Sequence, residues 1–319
     1  MRILAPINTF ESTQELISAG AQEIYTGGDD PIFKSYSFSG RGKLGHDGVK
    51  VANNADELKK IVDYAHDHNV TVNFTANTQF FSNFMYCGKT LETHYLEYVK
   101  QAVAAGVDSI IVGDIGLLHF LRKQQLGVPL HGSVFLKTIN KEQILFLREC
   151  GVNRVTLSYH ITMEEIEKFV EEKIMEYEVI GYMGCSFFNG ACGLLHEYGE
   201  GVIDSFSPGV SCKGVYRLND EGNEEARLFD VEAACAACKM RHLDDLGIDA
   251  LKIVGRERNC KATAEVVSLY RKILANGETP VSEIVPSWWK RVFCKNNSCK
   301  YSERNNSFQY VIGGDVDEN

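Results

Sequence analysis

Eight short β-branched runs recur along the chain, and stretches with helical periodicity lie between most of them. The runs are "RILAPI" (2–7), "EIYTG" (23–27), "TVNFTAN" (71–77), "SIIVGD" (109–114), "PLHGSV" (129–134), "RVTLSY" (154–159), "EYEVIGYM" (176–183) and "ALKIVGR" (250–256). Several helix starts are readable. Ser12 with Glu15 and Thr162 with Glu165 fit a capping box, in which the cap hydroxyl and the later carboxylate satisfy orphan amides reciprocally. Asn54 and Asn140 are expected N-caps, with Glu57 and Gln143 three positions on. Over 55–65, Ala55, Leu58, Ile61, Val62 and Ala65 share one helical face. Repeated βα units predict a parallel sheet covered by helices. Eight of them predict a closed, TIM-like (β/α)8 barrel. An open doubly wound sheet is the alternative, because counting strands does not establish closure.

In either fold the site lies beyond the carboxyl ends of the strands. That edge offers Asn8, Tyr25, Asn77, Asp114, Ser133, His160, Cys185 and Arg256. Polar residues at strand ends also cap helices and close turns. Asp114 is read first as the cap of a helix starting at Ile115. Arg256 suits bidentate pairing with a substrate carboxylate, or equally a salt bridge to Glu257 or Asp249.

The chain has 319 residues, 44% of them hydrophobic, enough for one barrel-sized core. Its formal net charge of −10 does not attract polyphosphates as a whole. No charged leader with an apolar h-region precedes "RILAPI", and no apolar run is long enough to span a bilayer, so a cytoplasmic location is expected. There the ten cysteines are expected to be free, metal-bound or catalytic rather than paired as disulfides.

Region 184–240, between the seventh and eighth runs, breaks the alternation and holds Cys185, Cys192, Cys212, Cys235 and Cys238. A long insertion at this face points to function. Only Cys235-x2-Cys238 has the form of a zinc knuckle; the wide, uneven spacing of the rest suits an iron–sulfur cluster, and both metals stay open. Five cysteines in a polar, Gly-rich insertion are not what buried, inert thiols look like. Cys87, Cys150 and Cys260 read as structural, and Cys294-x4-Cys299 as a second site or an incidental pair. The expected division is a barrel over 1–280 carrying the insertion, then a tail over 281–319. That tail packs Trp288, Trp289 and Phe293 on the barrel and ends in a disordered segment.

The segment "GYMGCSFFNGACGLL" resembles the "HGAxCxSYSGRCxLS" stretch of the collagenase-like peptidase family U32, with Cys185, Gly190 and Cys192 in register. "SPGVSCKGVYRL" is similar to the family's next cysteine stretch at Gly209, Cys212 and Arg217. "AACAACKMRHLDDLGIDALKIVGR" resembles "DLCxLxxLxxLxxAGVDSxKIEGR", which places Cys235 on the family's fourth cysteine. "ILAPINTFESTQELISAGAQEIYTGG", "IIVGDIGLL" and "LHGSVFLKTIN" look like its upstream motifs, so the resemblance covers roughly residues 2–275.

The resemblance implies a four-iron four-sulfur cluster held by Cys185, Cys192, Cys212 and Cys235, with Cys238 as the alternative fourth ligand and zinc as the alternative metal. It implies oxygen-independent hydroxylation, as its better understood members support on RNA bases or ubiquinone precursors, with prephenate as a possible oxygen donor. Tyr25, Asn77, Asp114, Ser133 and Arg256 would line the substrate pocket. Some members act in pairs, so a paired homologous subunit and a non-catalytic, cluster-binding role form one alternative. The peptidase of the family's name is another. The chain has neither H-E-x-x-H nor G-x-S-x-G, which leaves Ser133 with His131 or His160 as the peptidase candidates. Two departures stand out: Gly181 replaces the family's His, and Val254 the Glu of "KIEGR". With the acidic charge and without the C-terminal extension of RNA-modifying members, a small molecule or peptide is expected as substrate ahead of RNA.

Overall fold

The computed structural model describes residues 1–28, 54–78, 85–182, 216–217, 225–226, 235–255, 259–295 and 299–301. Eight strands, β1 (Arg2–Pro6), β2 (Glu23–Thr26), β3 (Thr71–Thr75), β4 (Ser109–Val112), β5 (Leu130–Gly132), β6 (Val152–Thr156), β7 (Glu176–Tyr182) and β8 (Ala250–Ile253), close into a barrel in the order β1-β8-β7-β6-β5-β4-β3-β2. Every neighbouring pair is parallel. The helices are α1 (Phe10–Ser18), α2 (Ala55–Asp67), α3 (Leu91–Ala104), α4 (Ile115–Lys123), α5 (Lys141–Glu149), α6 (Met163–Glu172), α7 (Met240–Asp245) and α8 (Cys260–Ala275). One follows each strand, so the closed barrel prevails over the open sheet.

Most helices begin where a side-chain oxygen meets orphan amides. Asn54, Asn140 and Thr162 cap α2, α5 and α6 as expected. Helix α1 starts earlier than its sequence suggests. Thr9 is its cap, and the Ser12 hydroxyl returns the bond to the Thr9 amide at 2.9 Å, so Ser12 serves inside the box rather than opening it. On α2, Leu58, Ile61, Val62 and Ala65 are buried, whereas Ala55 is exposed at the start of the helix. Cys87 also departs from expectation: it lies exposed in a hairpin turn at φ +48°, not in a core.

Alternate strand residues face opposite ways, and the two faces differ in chemistry. Ile3, Ile24, Ile110, Val155, Tyr177, Val179, Leu251 and Ile253 join the large apolar core under the helices. The inward positions hold a small cluster of Leu4, Tyr25 and Ile111. Beside it runs a polar network. Arg154 grips Glu23 through two nitrogens at 2.6 and 3.0 Å and reaches Glu176 at 2.8 Å. Arg2 pairs with Glu23 and Glu176, and Lys252 with Glu178. Three carboxylates thus face three cations; Glu23, Glu178, Arg154 and Lys252 are buried, which is tolerated because each is paired, while Arg2 and Glu176 are partly exposed at the rim.

Beyond α8, a one-turn helix (Ser287–Trp289) and a π-helical turn (Lys290–Cys294) lay Trp289 and Phe293 on the barrel. Trp289 stacks on Phe293 at 4.6 Å and meets Tyr182 and Tyr270 at 5.7 and 5.9 Å. Trp288 stays at the surface. Among the described residues no helix is long and apolar enough to cross a membrane.

Candidate functional site

The carboxyl ends of β3, β4 and β5 bring three of the expected residues into one neighbourhood. Asn77 Nδ2 donates to Ser133 Oγ at 3.0 Å, and both side chains are buried. Gly113 permits this approach: a Cβ there would stand 2.9 Å from Asn77 Oδ1 and 3.0 Å from Phe135 Cβ. Asp114 follows directly, and its carboxylate accepts from the Leu117 amide at 2.8 Å, so it caps α4. Ser133 also caps the turn Val134–Leu136. Tyr25 lies deeper. Its hydroxyl donates to the Ile253 carbonyl at 3.1 Å, and Lys252 Nζ sits 4.2 Å above its ring. Arg256 lies outside the described residues.

The peptidase pairing gains no support from these bonds. Ser133 Oγ engages Asn77 and the Phe135 amide, while His131 Nδ1 lies 3.2 Å from Ser109 Oγ. Burial pushes the His131 pKa well below the ordinary imidazole value, and Arg154, Lys252 and Arg2 push the same way. The ring is therefore neutral at pH 7, and it serves the barrel interior.

Of the expected metal ligands, Cys185, Cys192 and Cys212 lie outside the described residues; Cys235 and Cys238 lie within them. Cys235 stands at the carboxyl end of β7, held extended by an antiparallel bridge to Tyr182 and a parallel bridge to Cys299. The Ala236 amide donates to the Gly181 carbonyl at 3.0 Å, and the Lys300 amide to the Cys235 carbonyl at 2.8 Å. Its thiol is buried and accepts the Trp289 indole N–H at 3.2 Å. Burial pushes the thiol pKa up to about 11, although the Ala237 amide and Trp289 oppose the rise. Cys238 differs. It lies exposed on the 3-10 turn Ala237–Lys239, not one helical turn along a shared face, because the two bridges keep Cys235 out of the helix.

Among the described residues no group of three or more His, Cys, Asp or Glu side chains already stands in metal-holding geometry. The one family-matched cysteine described does suit an iron–sulfur ligand. It is a soft donor in an aromatic wall, and it receives the N–H hydrogen bond that tunes such sulfurs.

The first departure from the family pattern has a local account. A Cβ at Gly181 would fall inside the Leu251 side chain, so this chain has no room there for a His. The Gly181 carbonyl instead takes the Tyr270 hydroxyl at 2.7 Å. Val254 lies just past the end of β8, its amide donating to the Tyr182 carbonyl at 3.4 Å, and nothing in the structure explains Val in place of the family's Glu.

Sequence reasoning passed over the inward-facing charges, Glu23, Arg154, Glu176, Glu178 and Lys252. Their signal was present: a charge inside a strand is unusual unless it is paired. Burial works against Arg154, but the Glu23 hydrogen bonds and the Glu23, Glu178 and Glu176 charges more than offset it and raise its pKa.

A family model described as Peptidase family U32 matches residues 8–306, and the chain belongs to that family. The chain is 26% identical over 300 residues to tRNA hydroxylation protein P1 of Bacillus subtilis, covering 90% of itself and 66% of that protein. It is 29% identical over 139 residues to tRNA hydroxylation protein P of Escherichia coli, covering 41% of itself and 29% of that protein. It is 21% identical over 294 residues to a collagenase of Porphyromonas gingivalis, covering 85% of itself and 65% of that protein. The chain thus spans at most 66% of the length of these relatives. A solved structure described as that of a U32 peptidase aligns over 80% of this chain and 93% of its own, at 14% identity and a TM-score of 0.48.

Proposed function

We propose that this member of peptidase family U32 supports an oxygen-independent hydroxylation and holds an iron–sulfur cluster at the carboxyl face of its barrel. The observation that carries the reading is the setting of Cys235: a buried thiol at the end of β7, pinned by backbone bridges and hydrogen-bonded by an indole. Cys185, Cys192 and Cys212 would supply the other thiolates by register with the family. Such a cluster supplies electron transfer. The chain's own residues do the rest. Asn77 and Ser133 present a bonded amide–hydroxyl pair at the strand ends, and Trp289 shields the Cys235 sulfur from water. Prephenate is the oxygen donor in this reading, and Arg256 is the group suited to its carboxylates.

The net charge of −10 favours a small molecule or peptide as substrate. The kinship to two proteins named for tRNA hydroxylation favours tRNA as the second reading. One experiment tests the reaction and separates the substrates. The gene is deleted, the strain is grown without oxygen, and tRNA nucleosides and small metabolites are compared by mass spectrometry. A hydroxylated product should vanish, return with the intact chain, and stay absent with Cys212→Ala. A product lost from tRNA selects the second reading. No hydroxylated product lost from either pool would refute the function.

A further inference from the structure

The inner wall of the barrel carries polar groups that neither the fold nor the cluster reading uses. Leu4, Tyr25 and Ile111 face the lumen together, and residues paired across neighbouring parallel strands share a face. Lys252 pairs with Leu4, and Thr75 with Ile111, so both side chains point into the lumen. Two residues beyond Thr75 on the same face, Asn77 makes its 3.0 Å bond to Ser133 at the carboxyl mouth. Thr75 is 5% exposed, and its Oγ1 has no hydrogen-bond partner among the described residues. A buried hydroxyl left unpaired costs free energy, so its place in this wall calls for an occupant.

Lys252 is 8% exposed, and its ammonium is held rather than saturated. Its Nζ donates to Glu178 Oε1 at 3.1 Å and lies 4.2 Å from the centre of the Tyr25 ring. Thr156 Oγ1 donates to the same carboxylate oxygen at 2.8 Å, which fixes it. An ammonium has three protons; Glu178 takes one and the ring face another, and no acceptor among the described residues takes the third. Tyr25 clusters with Ile111, the strand partner of Thr75, so ammonium and hydroxyl border the same space. Ser133 accepts from Asn77 and from the Phe135 amide, so its own proton is also left to give. The unspent groups of this wall are therefore donors, and what they fit is an acceptor oxygen. Charge narrows the class. Lys252, Arg154 and Arg2 already face Glu178, Glu23 and Glu176, so an added carboxylate would stand as a surplus buried charge. An uncharged carbonyl oxygen offers two lone pairs without that cost.

We propose that Thr75, Lys252 and Ser133 form a subsite that takes an uncharged carbonyl group of the substrate, an amide or a ketone, at the floor of the carboxyl-face pocket. The subsite rests on the carboxyl face being the substrate face, as in the reading above, and on neither the cluster nor the hydroxylation. Thr75 and Lys252 give the oxygen its hydrogen bonds, and Glu178 and Tyr25 position the ammonium.

The full chain, purified without oxygen, is titrated by ligand-observed NMR with three probes of one shape: benzamide, benzoate and benzylamine. Benzamide should bind saturably, and the other two at least several-fold more weakly. Thr75→Val keeps the shape and removes the hydroxyl, so benzamide should weaken several-fold while the free chain keeps or gains thermal stability. Lys252→Met combined with Glu178→Gln removes the ammonium without stranding its carboxylate, and should weaken benzamide about tenfold or more. The subsite is overturned if benzamide shows no saturable binding, if benzoate binds more tightly, or if the variants bind benzamide like the intact chain. Benzamide bound as described by a chain that takes up no iron would keep the subsite and refute only the cluster. A hydroxylated product lost on deletion of the gene, with no benzamide bound by the chain, would keep the function and refute only the subsite.

Discussion

His131 occupies the barrel interior with Ser109 at its Nδ1, and its surroundings keep it neutral. In the unfolded chain the same ring takes up a proton near pH 6.5. Below that pH the unfolded state therefore binds more protons than the folded one, and stability falls as pH falls. The stability is fully present above pH 6.5 and is lost progressively toward the lower folded value. His131→Asn should remove this component, which for one proton has a slope approaching 1.4 kcal/mol per pH unit, or about that size. Urea titrations at pH 5 to 8 check it. Equal slopes in the two proteins would contradict the assignment. Arg154 shows the complementary case. Its charge has three carboxylate partners, so removing it would leave Glu23 buried without its bidentate partner, a loss of about 3–5 kcal/mol for pairs of this kind.

Among the elements, the strands were the most legible, because β-branched runs bounded by turn residues leave few other readings. All eight appear, and β7 runs through Tyr182 before the chain enters the cysteine region. Helix starts were legible where one cap dominates, as at Asn54 and Thr162, and less so at α1. There Thr9 and Ser12 both suit a cap, and only the geometry selects Thr9. Inward charges were visible one by one within strands, but their pairing was not, since Arg154 finds Glu23 and Glu176, and Lys252 finds Glu178, on other strands. The tail was legible as an aromatic patch, but its landing place was not. Trp289 meets Cys235 across 54 positions of sequence, and no local pattern encodes that contact. The tail also gives a test at this scale. Trp289→Ala removes a fully buried indole and should cost about 3–5 kcal/mol of its docking and packing. Proteolysis of residues 287–301 should quicken, and Cys235 should become open to alkylation. Trp289→Phe should keep most of the packing and lose only the N–H on the sulfur. A Cys235 thiol that stays unreactive in the Ala variant would show that other groups bury it.

As a whole molecule, the chain is a parallel barrel whose interior holds a paired charge network and whose carboxyl face carries the buried Cys235. The network and the helix-covered core give rigidity, and the carboxyl face is where this fold places chemistry. Membership of family U32 and the setting of Cys235 motivate the central proposal, that the face holds an iron–sulfur cluster. Iron and acid-labile sulfide per chain, measured on anaerobically isolated and reconstituted protein, test it most directly. The account predicts a brown protein with about four of each, as a four-thiolate cubane requires. Cys185→Ala, Cys192→Ala, Cys212→Ala and Cys235→Ala should each lose most of the iron, while Cys238→Ala keeps it. A colourless protein that takes up no iron and sulfide, whether or not it carries zinc, would contradict it.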